Sequence, residues 1–237
     1  MASTAYDAHH GHHAHGGHDH PALQHHFDNL EQQKESSTLG MWMFLVTEIM
    51  FFGGLFAAYV VYRGMFHGVF AIASSHLNWK LGALNTVVLI ASSLTMAMAI
   101  WAAQVNRRKL IIWFLLLTIG LGSVFLVVKA FEYKEKFDHH LVPGPHFAPP
   151  YPELQAVSNE AQVFYSLYFI MTGLHALHMV IGIGLLSWLL IPSWKGKFDS
   201  RYYNPLEICG LYWHFVDLVW IFLFPLLYLL GAHLTHH

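Results

Sequence analysis

Apolar residues in this chain gather into five long stretches, and most of the charge lies in the short runs between them. A helix rising about 1.5 Å per residue needs roughly 20 apolar residues to cross the hydrocarbon layer of a bilayer. Five segments reach that length: Leu39 to Tyr62, Leu81 to Val105, Leu110 to Phe131, Val163 to Ile191 and Ile208 to His233. In lipid every backbone amide must find its partner within the segment, so continuous spans of this kind are helices. The pattern predicts an all-α integral membrane protein, a bundle of five transmembrane helices within residues 36–237. Pro192 lacks an amide hydrogen and crowds the preceding turn, so it predicts the end of the fourth helix.

The loops give the bundle a direction. Asn106-Arg107-Arg108-Lys109 forms a tight basic connection between the second and third spans, and Lys195, Lys197 and Arg201 lie between the fourth and fifth. By parity these loops share a side with the N-terminus, and short basic loops stay in the cytoplasm. The expectation is a cytoplasmic N-terminus and a periplasmic C-terminus. The 64–80 loop and the long 133–160 segment then face outward.

Ahead of the first span, residues 1–35 read as a disordered cytoplasmic tail. His9, His10, His12, His13, His15, His18 and His20 alternate there with glycine and alanine, a composition that builds no core. Neutral imidazoles at that density are weak candidate ligands for copper, nickel or zinc, and a low-complexity tail is the simpler reading. No apolar run in this region is long enough for a signal sequence, so the first span is expected to act as its own insertion signal.

Composition sharpens the class. Hydrophobic residues make up 55% and charged residues 11%, with a net charge of −2, so no basic field for nucleic acid exists. Cys209 is the single cysteine, which excludes an internal disulfide and a cysteine-based metal knuckle.

Candidate chemistry lies in the few polar residues submerged in these spans. Between Ile208 and Gly231 the only residue charged at neutral pH is Asp217, with His214 one turn before it. A carboxylate near the bilayer centre costs about 2.5–3.5 kcal/mol on insertion scales, so a partner, a packed interior or a function has to offset it. Glu48 repeats the pattern in the first span, and His175 and His178 in the fourth. Helical rise puts Glu48 and Asp217 each roughly 14 Å from the cytoplasmic start of its span, and the two histidines roughly 18–24 Å from the outer start of theirs. These depths permit a single polar cluster. The i, i+3 spacing of His175 and His178 predicts one shared helix face. Three arrangements remain open: haem held by a histidine from each of two helices, with His214 as second ligand; a carboxylate-bridged metal, although its Glu-x-x-His element is missing; or structural bonding of imidazoles to Asp217, Glu48 or backbone carbonyls. Gly53-Gly54, Gly120 with Gly122, and Gly173 with Gly182 and Gly184 predict close helix approach.

Five strings, TEIMFFGGLFAAY, ALNTVVLIASSLT, LGSVFLVVKAFEY, FIMTGLHALHMVIG and LYWHFVDLVWIFLFPLLYLLG, together resemble subunit III of haem–copper respiratory oxidases, the cytochrome c oxidase family, in that family's order. The resemblance runs from about Gly40 to Gly231. It implies a subunit with no haem or copper of its own, in a proton-translocating oxidoreductase complex whose partner subunits hold those groups. The implied partners are the catalytic subunit I, subunits II and IV, phospholipid, and through them a respiratory supercomplex. The implied roles are to pack on subunit I, bind phospholipid in a cleft, and support proton uptake and turnover stability. Glu48 and Arg63 become candidates for that cleft or for proton support. His175, His178, His214, Asp217 and Glu132 become an intramembrane polar network, with Glu132 and Tyr133 closing the third span at the outer surface. No catalytic residue is assigned. Longer members carry two further N-terminal helices that form one wall of the cleft, and the histidine-rich tail stands in their place here. The five-helix form resembles the short bacterial one, whose expected home is the inner membrane. Quinol oxidase subunit III and an accessory subunit of nitric oxide reductase remain as alternatives. So does a b-type membrane cytochrome.

Overall fold

The computed structural model describes residues 30–145, 147–198 and 202–229. Among them the chain forms seven α-helices: α1 (Leu30–Met65), α2 (His67–Ser75), α3 (Trp79–Gln104), α4 (Arg108–Asp138), α5 (Pro152–Gln155), α6 (Ser158–Trp194) and α7 (Asn204–Phe224). A π turn, Pro225–Leu229, continues α7. Five helices (α1, α3, α4, α6 and α7 with its π turn) are long and apolar enough to cross a membrane, and no strand occurs among the described residues.

The spans outrun their apolar cores, because polar flanks extend a helix without changing its hydropathy pattern. α1 starts at Leu30, so residues 30–35, assigned above to the tail, are helical. α6 passes through Pro192 to Trp194. A proline this near the C-terminus disturbs only the last turns, and the stop comes from Gly196, which adopts φ +69°. Gly196 donates its amide to the Ser193 carbonyl and Lys197 donates to the Pro192 carbonyl, the paired bonds of a Schellman cap. Asn106 and His140, at φ 59° and 51°, end α3 and α4 with the same left-handed residue. The short helices α2 and α5 sit in the two loops read above as outward-facing.

The core shows heptad spacing. On α3 the buried positions include Gly82, Asn85, Leu89, Ser92, Met96 and Ala99, and on α4 they are Ile111, Leu115, Thr118, Gly122, Phe125, Lys129, Glu132 and Lys136. Alternating steps of three and four residues form the seam of two helices packed at a shallow left-handed angle. α3 and α4 pack along one another, and α7 fits between α3 and α6. Trp213 is the wedge at the centre. Its ring lies where a Cβ on Gly122 would approach to 2.7 Å and one on Gly182 to 3.0 Å, and its indole N–H donates to Ser92 Oγ at 2.9 Å. By contrast, nothing lies within 4 Å of the Cβ positions of Gly53, Gly54, Gly120 or Gly184, and at Gly173 only the Tyr133 hydroxyl comes within that range. Those glycines mark no close crossing among the described residues.

α1 is peripheral. Among its described residues only Leu45, Phe52 and Tyr59, seven apart, are buried, and they form a narrow stripe against α6 and α7. The rest of α1 leaves a groove beside it. The π turn is tied down by donors from two other helices, with Tyr59 Oη donating to the Leu226 carbonyl and Ser74 Oγ to that of Leu227, each at 2.8 Å.

Candidate functional site

The submerged polar residues form three separate centres, not one cluster.

The first joins α1 to α6. Glu48 Oε2 lies 3.2 Å from His178 Nε2, and His178 Nδ1 lies 2.8 Å from the Leu174 carbonyl oxygen on its own helix. A carbonyl only accepts, so Nδ1 carries hydrogen. Nε2 then bonds Glu48 only if one more proton sits between the two groups, on the imidazole or on the carboxyl. The pair is therefore a one-proton unit set among apolar neighbours. It opens into a groove of about 470 Å³ lined by Met41, Phe44, Ile181, Leu185, Cys209 and Tyr212. Tyr212 donates to the His178 carbonyl at 3.1 Å, and Phe52 meets the His178 ring edge-on at 5.4 Å, which fixes the imidazole's orientation. Arg63 is not part of this centre: it lies fifteen residues further along α1, roughly 22 Å along the axis, and does not line the groove.

The second centre lies between α3 and α7. Ser93 Oγ and His214 Nδ1 are 2.7 Å apart. Asp217, one turn later and 3% exposed, keeps both carboxyl oxygens buried, and the same Ser93 hydroxyl acts on it.

The third was not foreseen as a unit. Lys129 on α4 donates to Glu132 Oε2 at 3.0 Å and to the Tyr228 hydroxyl at 2.6 Å. Glu132 Oε1 accepts from Tyr228 at 2.5 Å and from Tyr168 at 2.8 Å. The Lys129 ammonium also lies 4.7 Å from the Trp220 ring centroid and 5.2–5.9 Å from those of Tyr228, Tyr168 and Tyr133. This ion pair is closed off: both Glu132 oxygens accept hydrogen bonds and the ammonium donates two, which is what a buried pair needs to survive loss of water. Glu132 was expected to close the third span at the outer surface, yet it is 1% exposed. The helix continues to Asp138 and carries the carboxyl into the bundle. Tyr133 likewise bonds Thr172 on α6 at 2.6 Å. The i, i+3 spacing of Lys129 and Glu132 was visible in the sequence. The part of Tyr228 was not, because it depends on the π turn after Pro225.

His175 and His178 part company. Residues three apart differ by about 60° around a helix, enough at a crossing for one ring to enter the core and the other the α1 groove. The His175 ring, 1% exposed, is enclosed by Phe125 at 5.3 Å and Trp220 at 5.2 Å, and neither nitrogen has a hydrogen-bond partner. Packed aromatic walls on that ring do not fit an axial haem ligand. Among the described residues no group of three or more His, Cys, Asp and Glu side chains is placed to hold a metal ion. His9, His10, His12, His13, His15, His18 and His20 lie outside the described residues.

Beyond the spans, His76 follows α2 and stacks on Tyr151 at 3.8 Å. Burial lowers its pKa below the ordinary imidazole value, opposed by Glu153 and assisted by Lys136. Lys136 Nζ donates to the His76 carbonyl at 2.9 Å, tying the end of α4 to this loop.

The protein family described as "Cytochrome c oxidase subunit III" matches residues 23–139 and 153–232. The chain is 31% identical to cytochrome c oxidase subunit 3 of Thermostichus vulcanus over 207 residues, covering 86% of this chain and 92% of the relative. It is 34% identical to cytochrome c oxidase subunit 3 of Corynebacterium diphtheriae, over 81% of this chain and 86% of the relative. A probable quinol oxidase subunit 3 of Staphylococcus epidermidis is 30% identical, over 86% of this chain and 94% of the relative. With five apolar helices and these matches over most of its length, the chain is a multi-pass membrane protein that belongs to the cytochrome c oxidase subunit III family.

Proposed function

We propose that this chain is the non-redox subunit III of a terminal haem–copper oxidase of the bacterial inner membrane. In this reading it packs on the catalytic subunit I, alongside subunits II and IV, while electrons pass to oxygen through haem and copper held by those partners. Association of the complex into a respiratory supercomplex belongs to the same reading. The N-terminus is cytoplasmic and the C-terminus periplasmic, on the strength of the Arg107-Arg108-Lys109 loop. Relatives named for cytochrome c and for quinol match this chain at similar identity, so the proposal covers both.

Within that complex the α1–α6–α7 groove holds phospholipid, and this supports proton uptake and stability during turnover. The Glu48–His178 unit carries this reading. It places one exchangeable proton at mid-span, in a groove whose other walls suit acyl chains. Such a groove has two ordinary occupants, lipid and a partner helix. The peripheral seat of α1, held by a three-residue stripe, leaves it open on the lipid side.

Glu48→Ala and Glu48→Gln in the purified oxidase test the assignment. The Gln amide donates to His178 Nε2 and keeps the bond, whereas Ala removes it. Expected is a normal initial rate for both, with Ala losing activity faster per turnover and copurifying with less phospholipid. Initial rates already abolished in both variants, or lipid and lifetime unchanged in Ala, would contradict it.

A further inference from the structure

Tyr228 meets the buried ion pair just after the chain leaves α-helical geometry. Pro225 has no amide hydrogen with which to continue α7, and the π turn Pro225–Leu229 begins there. A wider turn re-aims the side chains that follow it, and such turns gather at functional sites. The re-aimed group here is Tyr228, whose hydroxyl accepts from Lys129 at 2.6 Å and donates to Glu132 at 2.5 Å. Two other helices hold this turn. Tyr59 Oη on α1 and Ser74 Oγ on α2 donate to the two carbonyls immediately before Tyr228, those of Leu226 and Leu227, each at 2.8 Å. Tyr59 also belongs to the three-residue stripe by which α1 is seated. Its ring meets Phe70 of α2 edge-on at 5.3 Å, and Phe70 meets Phe164 of α6 at the same distance. One tyrosine thus seats α1 and anchors the π turn. A helix held by so narrow a stripe is a part of the bundle that opens at low cost.

We infer that Tyr59 and Ser74 form a strap that couples the seating of α1 to the Lys129–Glu132 pair, through the π turn and Tyr228. With α1 seated the strap is closed, and Tyr228 bonds both ions. When the end of α1 lifts, the Leu226 carbonyl loses its donor, the π turn loosens and Tyr228 leaves the pair. The hydrogen bonds left to the pair are then Lys129 to Glu132 and Tyr168 to Glu132. A half-satisfied buried network loses more than the sum of its broken bonds, so opening the strap is felt beyond the bond that breaks. The device makes the buried pair a sensor of α1, the helix that carries Glu48. It is built from contacts within the chain and stands apart from whatever fills the groove beside Glu48.

Two readouts on the isolated complex test the strap. The first is the ¹⁹F resonance of 3-fluorotyrosine placed at Tyr228, in Tyr59→Phe and in Ser74→Ala. Each variant keeps the packing and removes one strap bond, and each should displace or split the resonance, while Gly53→Ala, on α1 but clear of the stripe, should leave it unchanged. The second is amide hydrogen exchange, read in both directions because coupling is reciprocal. Tyr59→Phe should speed exchange in the π turn about fivefold, the loss of one ordinary hydrogen bond. Tyr228→Phe, whose own bonds run to α4 and α6, should speed exchange in the last turns of α1, and should add nothing there in the Tyr59→Phe background. Exchange in α3 should stay as in the wild type throughout. An unmoved resonance in both strap variants would overturn the device. So would an unchanged α1 end in Tyr228→Phe, or a rise there that persists in full without the Tyr59 hydroxyl.

Discussion

Replacing Lys129 by methionine keeps most of the stem's volume but strips the ammonium from a carboxylate that water cannot reach. Glu132 would retain the hydroxyls of Tyr168 and Tyr228, at 2.8 and 2.5 Å, and lose the countercharge bonded to it at 3.0 Å. Breaking a buried pair from one side costs about 3–5 kcal/mol, because the remaining charge is stranded. Two surviving charge-assisted bonds offset part of this, so Lys129→Met is expected near the lower end, about 3 kcal/mol. Tyr228→Phe removes one bond from each ion but no charge, and should cost about 1–3 kcal/mol. Replacing both ions, Lys129→Met with Glu132→Leu, removes the stranded charge and should recover much of the loss, giving a coupling of at least 1 kcal/mol in a double-mutant cycle. Tryptophan fluorescence during denaturant unfolding of the detergent-solubilised chain reads all of these, since Trp220 lies 4.7 Å from the Lys129 ammonium. Additive single-mutant losses, or a neutral Lys129→Met, would refute the claim that this network is a closed, charge-dependent knot.

Three further outcomes follow from the packing. Gly122→Ala places a Cβ 2.7 Å from the wedged Trp213 ring and should lower the unfolding free energy by about 1–3 kcal/mol, whereas Gly53→Ala, with open space around it, should be near neutral; equal losses at the two sites would contradict the wedge. Glu48→Gln should preserve oxidase lifetime relative to Glu48→Ala, as above. For His76 the folded pKa is lowered by burial, so its contribution is present above the ordinary imidazole value, near 6.5, and is lost as pH falls from there toward the folded value, because unfolding then takes up a proton. The α2–α5 loop region should therefore become more open to proteolysis on acidification through that window, and His76→Gln should flatten the dependence; an unchanged profile in the variant would show that another group is responsible.

The five spans were legible because lipid imposes a length and an apolarity that leave few alternatives. Their ends were not, since Leu30–Leu39 and Phe131–Asp138 are polar turns whose helicity depends on neighbours and caps. Pro192 misled because a proline near a C-terminus breaks little, while the neighbouring Gly196 carried the true stop. The polar residues were identifiable one by one from their depth, but their partners were not. Sequence gives depth along an axis and not rotation around it, so His175 and His178 were placed on one face, and their depths with those of Glu48 and Asp217 permitted one polar cluster. Small residues showed the same limit. Gly122 and Gly182 do meet Trp213, Gly53 and Gly54 meet nothing, and Gly82 and Gly210, which sit against Phe224 and Ile100, gave no distinguishing signal.

The central claim is that the ionisable groups submerged in this bundle knit helices, lipid and a redox-active partner together, and hold no cofactor themselves. The most direct measurement is a reduced-minus-oxidised visible spectrum taken before and after this chain is separated from a gently isolated complex. Haem absorption that leaves entirely with the partner polypeptides is the predicted result. A Soret band that stays with this chain, and disappears on replacement of His175 or His214, would contradict it.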